Sequence, residues 1–367
     1  MIREFVNDIE YIERKSKGAT FCRLLMPFEG RKVLKVDVII PTYKPDYKFL
    51  DLMEKLACQT IPVQRIIIMN TEQKYFDRLT YGSSFSKKYK NVIIRHISKR
   101  EYDHGNTRNK GVRLSDAEVF VMMTQDAVLA DEFVLEELIK GLRQEKVAVS
   151  YARQIADEYC SEVERFTRSF NYPDEKLVKT KADIEKMGIK TFFCSNVCAA
   201  YRRRVFDSLG GFVKHTIFNE DMIYAAGAVQ AGYGIAYCPD AKVYHCHDYS
   251  NMEQFHRNFD LGVSQADYPE IFAKISSESE GLKLIKMTVS HLSDMKMKNK
   301  IPAYFIKSGF KYAGYKLGKN YKKMPRKLVV KCSSNKEYWA MDNIIKASSK
   351  IDASKGYGVS EEEKGGS

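Results

Sequence analysis

An α/β architecture, with a mostly parallel central sheet flanked by helices, is what this sequence predicts, on three observations. Short apolar runs of strand length recur between Val36 and Met123, each closed by polar or turn residues. Segments with helical periodicity separate them. With 44% hydrophobic residues in 367, the chain also has enough apolar material to cover a sheet on both faces. Disorder throughout and a small disulfide scaffold are thereby excluded.

The elements follow in order. VDVIIPTYKP supplies the first strand, LDLMEKLACQ a helix, and VQRIIIMNTE and NVIIRHISK the second and third strands; a Gly/Asn-rich loop then leads to EVFVMMTQDA. Continuous apolar runs, rather than alternating ones, mark parallel strands buried on both faces. Ligands of such sheets bind beyond the carboxyl ends of the strands, so Thr42, Asn70, Thr71, Glu72 and Asp126 point at one crevice. A helix (DEFVLEELIKGLRQE), a strand (VAVSYAR), a Tyr/Phe/Arg-rich stretch, the apolar group TFFCSNVCAAYRR and a further helix come next. The chain divides into a short helical lead over 1–34, a catalytic domain over 35–270, a basic helical region over 271–341 and a polar Gly/Ser-rich tail over 342–367, expected to be mobile.

Eight cysteines without a C-x-x-C pair read as buried or free thiols in a reducing compartment, with buried thiols the default for Cys194, Cys198, Cys238 and Cys246. Glu4, Asp8, Glu10 and Glu13 interrupt the place where a signal peptide needs an apolar stretch. No run reaches the roughly 18 apolar residues of a membrane-spanning helix. The expected location is cytoplasmic, at the inner face of the cell membrane if the basic region attaches there.

Several residues could do chemistry. Asp126 follows the apolar strand VFVMM, where a carboxylate is held rigidly beside a crevice, although a helix-capping role fits the same position. His245 and His247, two apart in KVYHCHDYS, share a face of an extended segment and could supply a metal ligand and a phosphate contact. A hard cation such as Mg²⁺ or Mn²⁺, completed by diphosphate oxygens, fits better than a closed zinc site. Glu220 and Asp221 lie at a loop-to-helix junction in FNEDM, placed either to cap the helix or to take a proton from a hydroxyl. The loop EYDHGNTRNKG gathers Asp103, His104, Gly105, Arg108 and Asn109, with glycine for close backbone approach and arginine for phosphate or carboxylate. Walker-type and G-x-G-x-x-G loops are absent, so ATPase and dinucleotide-binding functions have no support.

IIPTYKP, YDHGNTRN, MTQDA, SNVCAAYRR, FNEDM and VYHCHDYSNMEQFHRNFDLG, in that order, resemble glycosyltransferase family 2, and within it the bacterial rhamnosyltransferase-like branch. The resemblance implies the nucleotide-diphospho-sugar transferase type A fold and inverting transfer from a nucleotide-sugar donor. It implies that Asp126 and His245 meet a divalent cation and that Asp221, beside Glu220, is the general base. Thr42, Tyr43, Asn70, Thr71 and Glu72 would flank the base and ribose. Asp103, His104, Gly105, Arg108, Asn109, Gln125 and His247 would line the sugar and diphosphate. Two departures are visible: MNTE leaves Asn70 or Glu72 where relatives carry an aspartate, and QDA has one aspartate where many have two. The donor expected is dTDP-L-rhamnose, with a UDP-hexose or UDP-N-acetylhexosamine as the alternative, and the acceptor a cell-surface polysaccharide or lipid-linked glycan.

The formal charge of +13 is confined to one segment, since residues 283–331 hold 14 Lys/Arg against a single acid, Asp294. Lysines interleaved with Phe, Tyr and Leu suit an amphipathic helix at an anionic membrane surface, and equally a solvated basic helix packed on the body. Nucleic acid is not the expected partner, because the segment has one arginine, Arg326. The reading from another class is a non-catalytic polyanion- or membrane-binding protein.

Overall fold

The computed structural model describes residues 34–272 and 278–341. Apart from Leu34, the expected lead lies outside the described residues, as does the expected tail from 342. Among the described residues nine strands form one sheet: β1 (Val36–Tyr43), β2 (Arg65–Thr71), β3 (Val92–Ile97), β4 (Val119–Met123), β5 (Val128–Leu129), β6 (Val147–Ile155), β7 (Leu177–Lys179), β8 (Cys198–Arg202) and β9 (Gly234–Tyr244). They run in the order β3-β2-β1-β4-β8-β6-β9-β5, with β7 on β9.

The first half is parallel: Val38 of β1 pairs with both Ile66 and Val121, and Ile66 with Val92. The second half is mixed, because β8 enters the middle of the sheet reversed, antiparallel to β4 and to β6, while β6 and β9 are parallel. That reversal has a consequence for function. Met123 at the end of β4 pairs with Cys198 at the start of β8, so the start of β8 lies at the edge where β4, β6 and β9 end.

Both faces of the sheet are buried, as the unbroken apolar runs require. Val36, Val38 and Ile40 of β1 and Val119, Val121 and Met123 of β4 enter one core, which Phe49, Leu52, Leu135 and Leu138 of two helices close. Ile39, Phe120 and Met122 enter the other, against Phe206, Ala225 and Val229. The helix expected from DEFVLEELIKGLRQE spans only Val134–Gly141, with Phe133 at its N-cap, so Asp126 does not cap it.

The basic region folds as helices Glu278–Asp294, Ile301–Lys319 and Arg326–Cys332. Ile301–Lys319 crosses Asn251–Asp267 with backbones in contact: a Cβ on Gly314 or Gly318 would overlap the carbonyl of Phe255 or Phe259. A third core of Ile217, Phe259, Val263, Val329 and Trp339 lies beside this crossing. Asp260 ties the following turn down, accepting the Ser334 N–H at 3.0 Å. No helix among the described residues is long and apolar enough to cross a membrane.

Cys194, Cys198 and Cys238 are buried thiols, as expected. Cys246 is not: it is disulfide-bonded to Cys160, with Cα atoms 6.3 Å apart. The end of β9 lies beside the loop preceding helix Glu162–Asn171, a proximity that sequence spacing does not reveal.

Candidate active site

The antiparallel pairing of Val128 with Tyr244 and of Leu129 with Val243 brings the chain just before β5 across from the chain just after β9. Asp126 is thus set against His245 and His247. His245 Nε2 lies 3.6 Å from Asp126 Oδ1, His247 Nε2 lies 3.3 Å from Asp126 Oδ2, and the two Nε2 atoms are 2.9 Å apart. Burial opposes ionisation of Asp126, but its contacts with His245, His247 and Thr124 outweigh it and hold the carboxyl well below its usual range. Burial pushes His247 down to about 4, so it is neutral near pH 7. An ionised carboxylate beside a neutral imidazole is the protonation state of a cation ligand set.

Glu220 and Asp221 occupy the first turn of helix Glu220–Gln230, which starts after Asn219 in a left-handed conformation (φ 65°). Their environments differ. Glu220 is buried and meets Arg108 Nε at 3.2 Å. Burial would raise its pKa, yet the Arg108 and His104 charges outweigh this and hold it below the usual carboxylate value. Asp221 is half-buried and accepts the N–H groups of Asn196 at 2.9 Å and Met222 at 2.8 Å. Burial and then the Glu220 charge push it up to about 7. A carboxylate poised there can hold or release a proton near neutral pH.

Asn196, just ahead of β8, serves both acids: its amide donates to Glu220 Oε1 at 3.0 Å and its own oxygen accepts from the Tyr201 hydroxyl at 2.7 Å. Its neighbour Ser195 accepts from Gln154 Nε2 at 2.9 Å, and Gln154 Oε1 lies 2.8 Å from His245 Nδ1. Asp221 and His245 therefore stand at the two ends of one short hydrogen-bonded chain through residues 196, 195 and 154. Asp126, His245 and Asp221, far apart in sequence, converge on one edge of the sheet.

Residues 37–210 match Glycosyl transferase family 2. The chain is 37% identical over 322 residues to the O-antigen chain rhamnosyltransferase RfbN of Salmonella typhimurium, covering 86% of this chain and 99% of that protein. It is also 37% identical over 319 residues to the O-antigen chain rhamnosyltransferase WbaN of Salmonella anatum, covering 85% and 98%. The chain belongs to glycosyltransferase family 2. A mannosyltransferase of Pyrobaculum calidifontis, solved with GDP-Man and Mn²⁺, aligns over 93% of this chain and 94% of its own at 14% identity with a TM-score of 0.48. As a family 2 glycosyltransferase, the protein takes a sugar from a nucleotide-sugar donor and passes it to a glycan acceptor.

The other residues singled out in the sequence are distributed around this family 2 site. Thr42 and Asn70 are buried and bonded to each other, Oγ1 donating to Oδ1 at 2.9 Å, with Asn70 Nδ2 2.9 Å from His96 Nδ1. Thr71 is buried as well. Tyr43 is partly exposed, and its backbone N–H and carbonyl are both held by the Gln125 amide at 2.8 and 3.0 Å. Gln125 thus ties the first strand end to the loop carrying Asp126. Glu72, in a left-handed conformation (φ 64°), accepts the Lys99 N–H at 2.9 Å.

The DHGNTRN motif works largely inward. Asp103 caps its helix by accepting the Asn106 N–H at 2.7 Å and holds the Thr216 N–H at 3.1 Å. A Cβ on Gly105 would overlap the Val213 carbonyl, and Asn109 grips both backbone groups of Phe212 at 2.8 and 3.0 Å. These residues fasten the 212–216 loop that leads into Glu220 and Asp221. Arg108 is committed to Glu220 and to the His104 carbonyl at 2.8 Å. His104 Nδ1 lies 3.8 Å from Glu220 Oε2, and its side chain is partly exposed. Sequence reading missed Asn196 and Gln154, though each is a polar residue at a strand boundary, the signal that singled out Asp126.

Proposed function

We propose that the protein transfers L-rhamnose from dTDP-L-rhamnose, with inversion, to a hydroxyl of a lipid-linked cell-surface polysaccharide. The convergence of Asp126, His245 and His247 with Asp221 at one sheet edge carries this reading, and the rhamnosyltransferase activity for which the two Salmonella relatives are named supports the choice of sugar. Asp221 accepts the proton of the acceptor hydroxyl while that oxygen bonds to the anomeric carbon and the bond to the diphosphate breaks on the opposite face. Glu220, held by Arg108 and Asn196, keeps Asp221 raised and oriented. Asp126, His245 and His247 would hold a divalent cation: their donor atoms all lie within 4.8 Å of one another, and neighbouring ligands in an octahedron with bonds of about 2.1 Å stand about 3 Å apart. Two imidazoles with one carboxylate suit Mn²⁺ better than Mg²⁺. Such a cation would supply Lewis-acid stabilisation of the departing nucleoside diphosphate. In this reading Tyr43 and Glu72 would flank the base and ribose, with the buried Thr42, Asn70 and Thr71 supporting them from behind, and His104 would touch the sugar. The deciding experiment is thermal stabilisation of the full chain by a nucleotide-sugar panel with Mn²⁺. Expected is the largest rise in Tm with dTDP-L-rhamnose; a larger rise with a UDP-sugar would replace the donor.

Attachment to an anionic membrane belongs to the same reading. Helix Ile301–Lys319 presents glycines to Asn251–Asp267 and leaves Phe305, Ile306, Tyr312 and Leu317 exposed at 40–55%, among lysines. Leu282 and Met295 are exposed nearby in the chain at 68% and 52%. Lys307 of the same helix reaches Asp248 at 3.4 Å, one residue past His247, so the helix adjoins the site. Replacing Phe305 and Ile306 by Ser is expected to weaken binding to phosphatidylglycerol/phosphatidylcholine vesicles about tenfold or more in a flotation assay, with transfer to a soluble acceptor unchanged. Undiminished binding would remove this face from the reading.

A further inference from the structure

Gln154, at the end of β6, is 3% exposed, and every hydrogen-bonding position of its amide is filled. Oε1 accepts from Arg168 and lies 2.8 Å from His245 Nδ1; Nε2 donates to the Tyr172 hydroxyl and, at 2.9 Å, to Ser195 Oγ. A guanidinium has only donors, so the atom of Gln154 that faces Arg168 has to be the carbonyl oxygen. This leaves His245 Nδ1 a single compatible state, in which it carries the hydrogen and donates. The opposite tautomer would set a lone pair against a lone pair at 2.8 Å in a buried place. A neutral imidazole has one N–H, so Nε2 keeps its lone pair. That atom faces Asp126 at 3.6 Å and His247 Nε2 at 2.9 Å. Arg168 is itself held one helical turn back by Glu164, at 3.0 Å.

We infer that Arg168 and Gln154 are positioning residues that fix His245 as the Nδ1–H tautomer and aim its Nε2 lone pair at the cation position beside Asp126. The inference rests on reading Asp126, His245 and His247 as a cation site. It gives Gln154 a second consequence, because the same amide holds Ser195, next to the Asn196 that orients Asp221. One side chain thereby sets the placement of both halves of the site.

Two measurements on the full chain test this. In ¹⁵N-histidine NMR at neutral pH without metal, the His245 signals, assigned by their loss in His245→Asn, are expected to report Nδ1–H in the wild type and mixed tautomers in Gln154→Leu. In Mn²⁺ titrations followed by EPR, Gln154→Leu is expected to bind about 10–100-fold more weakly, and Gln154→Glu, whose oxygens still accept from Arg168 and His245, within about threefold of wild type. Nε2–H on His245 in the wild type overturns the inference without recourse to any variant. Wild-type affinity for Mn²⁺ in Gln154→Leu also overturns it. If the wild type shows the expected tautomer but binds no Mn²⁺, the cation site fails, while the tautomer lock is upheld.

Discussion

Replacing Asp221 by Asn is expected to lower turnover on the order of 10²–10⁴-fold while leaving the donor dissociation constant within about threefold, since a positioned base acts on the transition state and touches the acceptor. The Asn196 N–H bonds to Oδ2 of Asp221 and the Met222 N–H to Oδ1, so an amide oxygen keeps one of these bonds and loses the other, a cost of about 1–3 kcal/mol that the fold is expected to survive. In the wild type, kcat/KM is expected to rise with pH and level off above about 7, as the raised carboxyl of Asp221 loses its proton. Stability should respond in the opposite direction. The folded state binds this proton more tightly than the unfolded state, so the contribution of Asp221 to folding is full at low pH and is lost as pH rises toward 7. Unaltered turnover in Asp221→Asn, or a pH profile flat between 5 and 8, would remove Asp221 from the base role.

Asp126→Ala is expected to lower kcat/KM about 100-fold in the presence of Mn²⁺ and to weaken Mn²⁺ binding, because it removes the one anionic group of the Asp126, His245, His247 cluster. Without added metal, donor binding by variant and wild type should differ little. Equal losses with and without Mn²⁺ would assign Asp126 a structural role instead. The helix Val134–Gly141 begins too far downstream for that role to be a cap.

The strand-and-helix order from Val36 to Met123 was legible because local composition decides it: a run such as VDVII can be buried on both faces only in a sheet covered on both sides, and that is where it lies. The same logic picked out Asp126 and the Glu220/Asp221 junction, since a polar residue following a buried strand, or opening a helix, has few inward partners. It read Arg108 and Asn109 as facing ligand, however, and they face Glu220 and Phe212. Arginine and asparagine bond as readily to the protein's own backbone and carboxylates as to a ligand, and only packing decides between them.

What the sequence determined by itself was the alternation of strands and helices, the confinement of the positive charge to residues 283–331, and the candidates for acid, base and ligand chemistry. What only the tertiary structure decided was which of them meet: β8 enters the sheet reversed, so Asn196 arrives at the edge where β4, β6 and β9 end, and Gln154 can join His245 to the residues that hold Asp221. Strand direction and long-range register depend on contacts between residues far apart in the chain, and no local pattern of hydrophobicity or charge encodes them.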